Sequence, residues 1–187
     1  MRPLLLALCV AFAVGNLTGQ QTGWQPSPGL NQVPIWPTSV PDSGPVPGAE
    51  TAQTETKEPV AGRPWVNVTN VSRPTITVYS PKGTNTGVAV VVFPGGGYQI
   101  LAIDLEGTEV CDWLTSREIT GVLFEYRLPG SGTHWDAQCR CQVSPKAPTA
   151  LEDAQGTLGL VHFDAAEWHI DRTSARITTS VCLQKWT

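Results

Sequence analysis

The sequence predicts an α/β fold between Thr75 and Ile177, in which strands and helices alternate along the chain. Residues 88–93 form an apolar run without polar interruption, which is typical of a strand covered on both faces. Residues 149–168 carry apolar side chains at helical spacing, which is typical of a helix packed on a sheet. The order strand, helix, strand, helix favours a sheet with right-handed crossover connections.

Two more segments have strand patterns. Residues 75–79 (Thr-Ile-Thr-Val-Tyr) alternate polar and apolar side chains, which predicts a strand with one wet face. Residues 119–126 are rich in β-branched and aromatic side chains, and they predict a further strand. Turn residues at 81–83 and 85–87 separate the first strand from the apolar run.

The helix that follows the apolar run is predicted from Leu105 to Arg117. Its apolar residues recur at i, i+3 and i+4, so one face of the helix should be buried. The residues of that face are Val110, Trp113 and Leu114.

Thr149 is the predicted N-cap of the long helix, because Thr149 and Glu152 have the spacing of a capping box. Gly156 and Gly159 should each weaken it by about 1 kcal/mol relative to Ala. Its predicted buried stripe consists of Leu151, Ala154, Leu158, Val161, Ala165 and Trp168.

The composition excludes some classes of protein. The chain has 187 residues, with 12 Lys and Arg against 16 Asp and Glu, for a net charge of −4. An acidic chain without a basic cluster does not favour nucleic acid as a partner. With 41% hydrophobic and 15% charged residues, the chain is also unlike a disordered protein.

Residues 1–20 have the features of a signal peptide. A positive start at Arg2 precedes the apolar run from Leu4 to Val14, which is too short to span a bilayer. The sequence therefore predicts a secreted or periplasmic protein with no membrane span.

Residues 21–74 are predicted to be a Pro-rich extended linker. Most of the 16 prolines of the chain fall here, and they disfavour helices and central strands. Trp24, Trp36 and Trp65 interrupt this composition. We expect them to pin the segment onto the domain that it wraps, whereas stacking on sugar rings is the alternative.

Four cysteines remain once Cys9 is removed with the signal peptide: Cys111, Cys139, Cys141 and Cys182. An exported chain favours disulfides or buried thiols over a zinc site, and no zinc-ligand spacing is present. Only one residue separates Cys139 from Cys141, a spacing that predicts separate disulfide partners for the two. No cofactor or metal is predicted.

The segment most suggestive of chemistry is Pro94-Gly95-Gly96-Gly97-Tyr98. Consecutive glycines between a buried strand and a helix allow backbone N–H groups to converge on one point, as an oxyanion requires. A phosphate loop would need a following Gly-Lys-Ser/Thr, and a dinucleotide loop would need G-x-G-x-x-G, and the sequence has neither. A simple tight turn would not need three glycines.

Four segments in this order resemble the N-terminal half of an α/β-hydrolase of the esterase/lipase superfamily. They are residues 90–98, 104–107, 125–129 and 150–154, and the resemblance covers residues 75–177. The greatest similarity is to exported bacterial esterases related to acetyl-xylan and feruloyl esterases. Such families begin the glycine loop with His, where this chain has Pro94.

The resemblance assigns roles to several residues. It makes Gly96 and Gly97 the backbone N–H donors of an oxyanion hole. It implies a structural ion pair between Arg127 and Asp153. It also places Glu106 near the mouth of the site, where this carboxylate caps or orients the start of the helix, or is simply an exposed first-turn carboxylate.

The nucleophile motif of this fold is missing. The fold places Gly-x-Ser-x-Gly on the strand after the long helix, but Ser180 is flanked by Thr178 and Cys182 in place of glycines. His134, His162 and His169 do not occupy the position of the catalytic histidine in the family. We therefore expect a partial hydrolase sheet, truncated before the nucleophile elbow, with residues 178–187 as an aberrant tail.

Two functions remain open. The first is an exported serine ester hydrolase that acts on a small ester or an acylated polysaccharide, acetylated or feruloylated, with this chain inactive because nucleophile, acid and histidine are absent. The second is a non-catalytic exported binding or surface protein that retains the hydrolase scaffold and makes contacts through Trp24, Trp36 or Trp135.

Overall fold

A computed structural model describes residues 23–44, 48–128, 134–143, 148–173 and 175–179. The predicted signal peptide and residues 180–187 lie outside the described residues. None of the helices within the described ranges is long and apolar enough to cross a membrane.

A five-stranded mixed sheet is the centre of the fold. Its outer strands are β1 (Gln32–Pro34) and β10 (Ala175–Thr179), and its inner strands are β4 (Thr75–Tyr79), β5 (Ala89–Phe93) and β7 (Thr120–Glu125). The strand order is β1-β4-β7-β5-β10. Strands β5, β7 and β10 are parallel, whereas β4 runs antiparallel to both β1 and β7. The inner strands confirm the three strands predicted from the sequence.

The sheet carries the hydrophobic core. The side chains of Val91, Val122 and Phe124 are at most 1% exposed, and all six residues of β7 are buried. Phe93 packs edge-on against Phe124 with ring centroids 5.1 Å apart. Burial on both faces explains why β5 and β7 lack polar alternation.

The first predicted helix consists of two parts, a π-helical turn (Asp104–Thr108) and α1 (Glu109–Thr115). Leu114 is buried as predicted, but Trp113 is 56% exposed and stacks under Arg117, whose guanidinium carbon is 5.3 Å from the ring centroid. Cys111 occupies the buried face instead, because Gly121 of β7 has no side chain and a Cβ there would lie 3.0 Å from Cys111. The buried face is therefore rotated toward Cys111.

The long helix, α2 (Pro148–Phe163), already includes Thr149, which was predicted as its N-cap. Proline is well suited to a first helical position, so Thr149 lies inside the first turn, and Glu152 bonds to Arg127 instead of capping the helix. Leu151 is 62% exposed, which contradicts its place in the predicted stripe. The buried residues are Ala150, Asp153, Thr157 and Val161, because the ion pair of Asp153 turns that face inward.

Residues 23–74 are more structured than the linker predicted for 21–74. Strand β1 joins the main sheet, while β2 (Thr51–Val60), β3 (Arg63–Thr69) and β6 (Leu101–Ala102) form a second sheet. Strands β1 and β2 lie at sheet edges, where proline is tolerated. Strand β3 lies between β2 and β6, and its Val68 is fully buried.

The two cysteines of the C-x-C pair are joined to each other. Strands β8 (His134–Asp136) and β9 (Cys141–Val143) form a hairpin, and a disulfide links Cys139 to Cys141. The prediction of separate partners is wrong, because Arg140 adopts a left-handed conformation (φ +52°) that brings the two Cα atoms to 5.2 Å. That separation is within the normal range for a disulfide. Cys111 is a free, buried cysteine.

Candidate active site

The glycine loop follows β5 at the carboxyl end of the parallel strands. Thr179, the last residue of β10, is paired with Phe93, the last residue of β5. The ends of these two strands therefore lie side by side. In open α/β sheets, this edge is where ligands bind.

Hydrogen bonds hold the start of the loop on both sides. Gly95 donates its N–H to Glu106 Oε2 at 3.0 Å, and its carbonyl accepts the N–H of Ala102 at 2.9 Å. The Pro94 carbonyl accepts the buried hydroxyl of Tyr126 at 2.7 Å. The loop is thus attached to the π-helical turn, to β6 and to the end of β7.

The middle of the loop requires glycine at Gly96. This residue has a φ of +141°, and a Cβ at this position would clash with the carbonyl of Ile100. The Gly96 carbonyl accepts N–H bonds from Gln99 at 3.1 Å and Ile100 at 3.3 Å. Gly97 also has a positive φ, +62°, but a Cβ there would meet no neighbour.

The N–H groups of Gly96 and Gly97 have no acceptor among the described residues, and both residues are partly exposed. Tyr98 follows, 39% exposed, with its ring edge-on to Tyr126 at 6.3 Å between centroids. Two adjacent donors on an anchored loop can bind one oxygen atom with negative charge.

Glu106 lies within the π-helical turn and orients the loop, not a helix start. Burial raises the pKa of its carboxyl above the ordinary value, while the bond from Gly95 opposes the shift. The hydrogen bond to Gly95 distinguishes Glu106 from an exposed first-turn carboxylate.

The ion pair between Arg127 and Asp153, implied by the resemblance, is present and buried. The Arg127 side chain donates from Nε to Asp153 Oδ2 at 2.8 Å and from a terminal nitrogen to Oδ1 at 2.6 Å. The side chains are 6% and 0% exposed. Glu152 adds a second bond at 2.9 Å, and Arg127 also reaches the Pro41 carbonyl. The pair therefore joins β7, α2 and the N-terminal segment.

Two tryptophans pin segments through their indole N–H groups. Trp36 donates to Asp153 Oδ1, and Trp65 donates to the Glu58 carbonyl, both at 2.9 Å. The prediction of pinning is confirmed for Trp36, which ties the N-terminal segment to α2. Trp135 is 67% exposed on the hairpin.

Sequence reasoning missed the role of Glu125, the last residue of β7, whose side chain is buried. Its Oε2 accepts bonds from Gln32 at 2.8 Å and Thr75 at 3.2 Å, while Oε1 is buried without a partner among the described residues. Burial, with a smaller contribution from the charge of Glu50, raises the pKa of Glu125 to about 8. The available signal was an acidic residue at the end of a largely apolar strand, since such a position indicates a buried carboxylate.

The sequence's other candidate groups belong to other elements. His162 and His169 are exposed on and after α2, and His134 is the first residue of β8. Ser180 and Cys182 lie outside the described residues. In the described ranges, no group of three or more His, Cys, Asp or Glu side chains could hold a metal ion.

A cavity of about 950 Å³ lies at the other end of the sheet. Tyr79, which lines it, is paired with Gly121 near the start of β7, whereas the glycine loop lies beyond the carboxyl end of β5. The cavity is therefore separate from the candidate site.

Comparison with known proteins supports the fold. No protein family model matches the chain, and no curated protein matches it in sequence. An acetyl ester-xyloside bifunctional hydrolase from Caldicellulosiruptor lactoaceticus is structurally similar, with a TM-score of 0.54 and 22% identity over 80% of this chain and 42% of that chain.

Two other solved structures have lower similarity. A thermophilic esterase from the planctomycete Thermogutta terrifontis has a TM-score of 0.44 and 18% identity, over 68% of this chain and 39% of its own. An α/β-hydrolase enzyme from a Medee basin deep-sea metagenome has a TM-score of 0.42 and 18% identity, over 68% and 45%. The chain spans less than half the length of each of these structures. The chain has an α/β-hydrolase-like fold in the form of a partial sheet.

Proposed function

We propose that the loop from Pro94 to Tyr98 is the oxyanion-stabilising element of an exported serine ester hydrolase. The observation that carries this proposal is the pair of N–H groups of Gly96 and Gly97, which have no acceptor in the described structure, whereas the N–H groups of Gly95, Gln99 and Ile100 are hydrogen-bonded. The α/β-hydrolase-like fold supports it, because this fold presents an oxyanion hole at the same sheet edge.

The chemistry that these donors serve is acyl transfer. When a nucleophile attacks an ester carbonyl, its oxygen becomes an oxyanion, which accepts hydrogen bonds from the N–H groups of Gly96 and Gly97. Because Glu106 and Tyr126 hold the loop in place, the donors need no reorganisation during the reaction. One such donor contributes about 10²–10³ in kcat in well-studied enzymes.

The substrate class is proposed to be a small acyl ester or an acetylated or feruloylated polysaccharide. The sequence resemblance to acetyl-xylan and feruloyl esterases supports it, as does the name of the acetyl ester-xyloside hydrolase with a similar fold. The features of residues 1–20 support a secreted or periplasmic location, in which polymeric substrates are accessible.

The chain as given is proposed not to hydrolyse esters. Its described residues supply oxyanion donors, but the nucleophile motif Gly-x-Ser-x-Gly does not occur in the sequence. Without an activated nucleophile, stabilisation of the oxyanion has no intermediate to act on.

Two experiments test this proposal. We expect the purified chain to release no chromophore from a chromogenic short-chain ester above the buffer rate; hydrolysis abolished by a serine-directed inhibitor would contradict its inactivity. The second experiment is to sequence the gene from the codon for Ala165 past that for Thr187 and translate all three frames. A frame that encodes Gly-x-Ser-x-Gly soon after Ile177, with Asp and His downstream, is expected of an ester hydrolase.

The alternative is the exported binding protein. If all frames close soon after Thr187 and the chain is inactive, the hydrolase function describes only its ancestry. Trp36 is then not available for a partner, because its indole N–H is bound to Asp153, whereas Trp135 is exposed.

A further inference from the structure

We propose that the disulfide between Cys139 and Cys141 is a thiol–disulfide exchange site that accepts two electrons from external thiols. It is separate from the candidate active site and does not depend on the proposed hydrolase function. The proposal rests on the exposure of the pair, its position in a hairpin turn and the residue between the two cysteines.

Both sulfur atoms belong to exposed residues. Cys139, Arg140 and Cys141 are all exposed at the end of the β8–β9 hairpin, whereas Cys111 is fully buried. Exchange begins when a thiolate attacks a disulfide sulfur, so access is its first requirement. The disulfide meets this requirement and Cys111 does not.

The turn is held by contacts that do not involve sulfur. Asp136 Oδ1 accepts the N–H of Gln138 at 2.6 Å and that of Cys139 at 3.2 Å. Asp136 is also paired with Cys141 across the hairpin. After reduction, these contacts keep the two thiols near each other, which favours reoxidation within the same turn.

The disulfide closes a very short loop. Because a cross-link stabilises mainly by restricting the unfolded chain, and this restriction grows with loop length, a bridge across one residue contributes little to folding. Folding therefore gives this bond little protection against reduction. A disulfide that the fold does not need can be reduced and reoxidised while the protein stays folded.

The residue between the cysteines is positively charged. Arg140 stands between the two cysteines in the chain, and a cation close to a sulfur favours its thiolate form. The carboxylate of Asp136 opposes this effect, but it is hydrogen-bonded to two backbone N–H groups. A stabilised leaving group accelerates the first exchange step.

The proposed reaction is balanced with glutathione as the thiol. One glutathione thiolate attacks a sulfur of the pair, the Cys139–Cys141 bond breaks, and a mixed disulfide forms while the other cysteine leaves as a thiolate. A second glutathione attacks the mixed disulfide and releases oxidised glutathione. The protein gains two electrons and two protons, and two glutathione molecules are oxidised to one disulfide.

The test uses the full chain with Cys9→Ser and Cys182→Ser, which removes the two cysteines outside the described residues. The oxidised protein is equilibrated in buffers of reduced and oxidised glutathione, quenched in acid, and alkylated for mass spectrometry. We expect a fast, reversible gain of two alkyl groups on Cys139 and Cys141, with half-reduction at a glutathione ratio that leaves ordinary structural disulfides oxidised.

Matched variants separate exchange from a structural role. The variant with Cys139→Ser and Cys141→Ser should take up no glutathione and keep the melting temperature of the oxidised protein. Arg140→Ala should slow reduction by about threefold. Cys111 should remain unmodified until denaturant is added.

Three results would overturn the proposal. The first is a pair that stays oxidised in reduced glutathione until the chain unfolds. The second is a large loss of melting temperature on reduction, because the bridge would then be structural. The third is recovery of Cys139 and Cys141 as free thiols from protein prepared under oxidising conditions.

Discussion

Trp36 donates its indole N–H to Asp153 Oδ1 at 2.9 Å, across a separation of 117 residues. The far edge of the same indole lies 2.7 Å from the position that a Cβ atom on residue 156 would occupy, so the close packing requires Gly156. Trp36 therefore contacts α2 at two points: it donates a hydrogen bond to Asp153 and packs closely against Gly156. This contact joins the N-terminal segment to the sheet domain.

Gly156→Ala should destabilise the protein although it improves helix propensity. The added methyl group would lie 2.7–2.9 Å from Trp36, and overpacking of this kind costs about 1–3 kcal/mol, against a gain of about 1 kcal/mol in propensity. Gly159→Ala is the matched control, because a Cβ there meets no neighbour, and it should stabilise by about 0.5–1 kcal/mol. Urea unfolding measures both. Equal effects of the two substitutions would contradict the close packing of Trp36.

Removing both members of the buried ion pair should cost less than the sum of the two single removals. Arg127→Met leaves the buried Asp153 carboxylate without a counter-ion, with an expected loss of about 3–5 kcal/mol in the free energy of unfolding. Asp153→Ala should cost less, because Arg127 keeps its bond to Glu152. The double variant should lose clearly less than the sum of the single losses. The double-mutant cycle is measured by denaturant unfolding, and additive losses would show that the pair does not couple.

Stability should fall as the pH rises from about 4.5 to 8, because burial and the charge of Glu50 raise the pKa of Glu125 to about 8. In this interval Glu125 is protonated in the folded chain and ionised in the unfolded chain. The stabilisation is fully present below the pKa that Glu125 has in the unfolded chain, and it is lost as the pH rises through the pKa of the folded chain. The total change is on the order of 3–5 kcal/mol.

Glu125→Gln tests the origin of this dependence. The variant should lose most of this slope between pH 5 and 8, because its side chain does not titrate, and the raised pKa of Glu106 should leave only a smaller fall. Glu58→Gln, at an exposed position of β2, is the control and should keep the slope of the unsubstituted protein. Thermal or urea unfolding over this pH range measures it, and an unchanged slope in Glu125→Gln would assign the dependence to other groups.

Hydrogen exchange should distinguish the amides of the glycine loop. The Gly95 N–H bonds to Glu106 and should be protected, whereas those of Gly96 and Gly97 have no acceptor in the described structure and should exchange rapidly. Glu106→Ala should remove protection from Gly95 while leaving that of the β7 amides unchanged. Amide-resolved NMR measures the rates. Strong protection of Gly96 and Gly97 would mean that both donors are already occupied.

The β-strands of the sheet were predictable because their signals are local. Residues 75–79, 89–93 and 120–125 combine β-forming residues with turn residues at their ends, and each became a strand. Helix faces were less predictable. The apolar spacing predicted that Leu151 and Trp113 are buried, but both are exposed. The helix faces that contact the sheet carry the buried residues Asp153 and Cys111 instead.

The N-terminal segment shows why composition misleads. Proline content predicted a linker between residues 21 and 74, whereas three strands form there, of which β1 and β2 lie at sheet edges and β3 lies between β2 and β6. A proline is tolerated in a strand at positions where no neighbouring strand needs a hydrogen bond from its backbone nitrogen. Which positions these are depends on the strand pairing in the tertiary structure. The disulfide of Cys139 with Cys141 likewise depends on the backbone conformation of Arg140, which residue spacing does not specify.

The sequence by itself determined the alternating strands and helices, the glycine run at residues 95–97 and the resemblance to an esterase, since each is written in contiguous residues. Only the tertiary structure decided which N–H groups of the loop are bound and which are not, and which carboxylates are buried. Glu106 and Tyr126 reach the loop from other elements, and Glu125 is enclosed by Gln32 and Thr75. Such contacts form between residues far apart in the chain, where desolvation and hydrogen bonding depend on the whole fold.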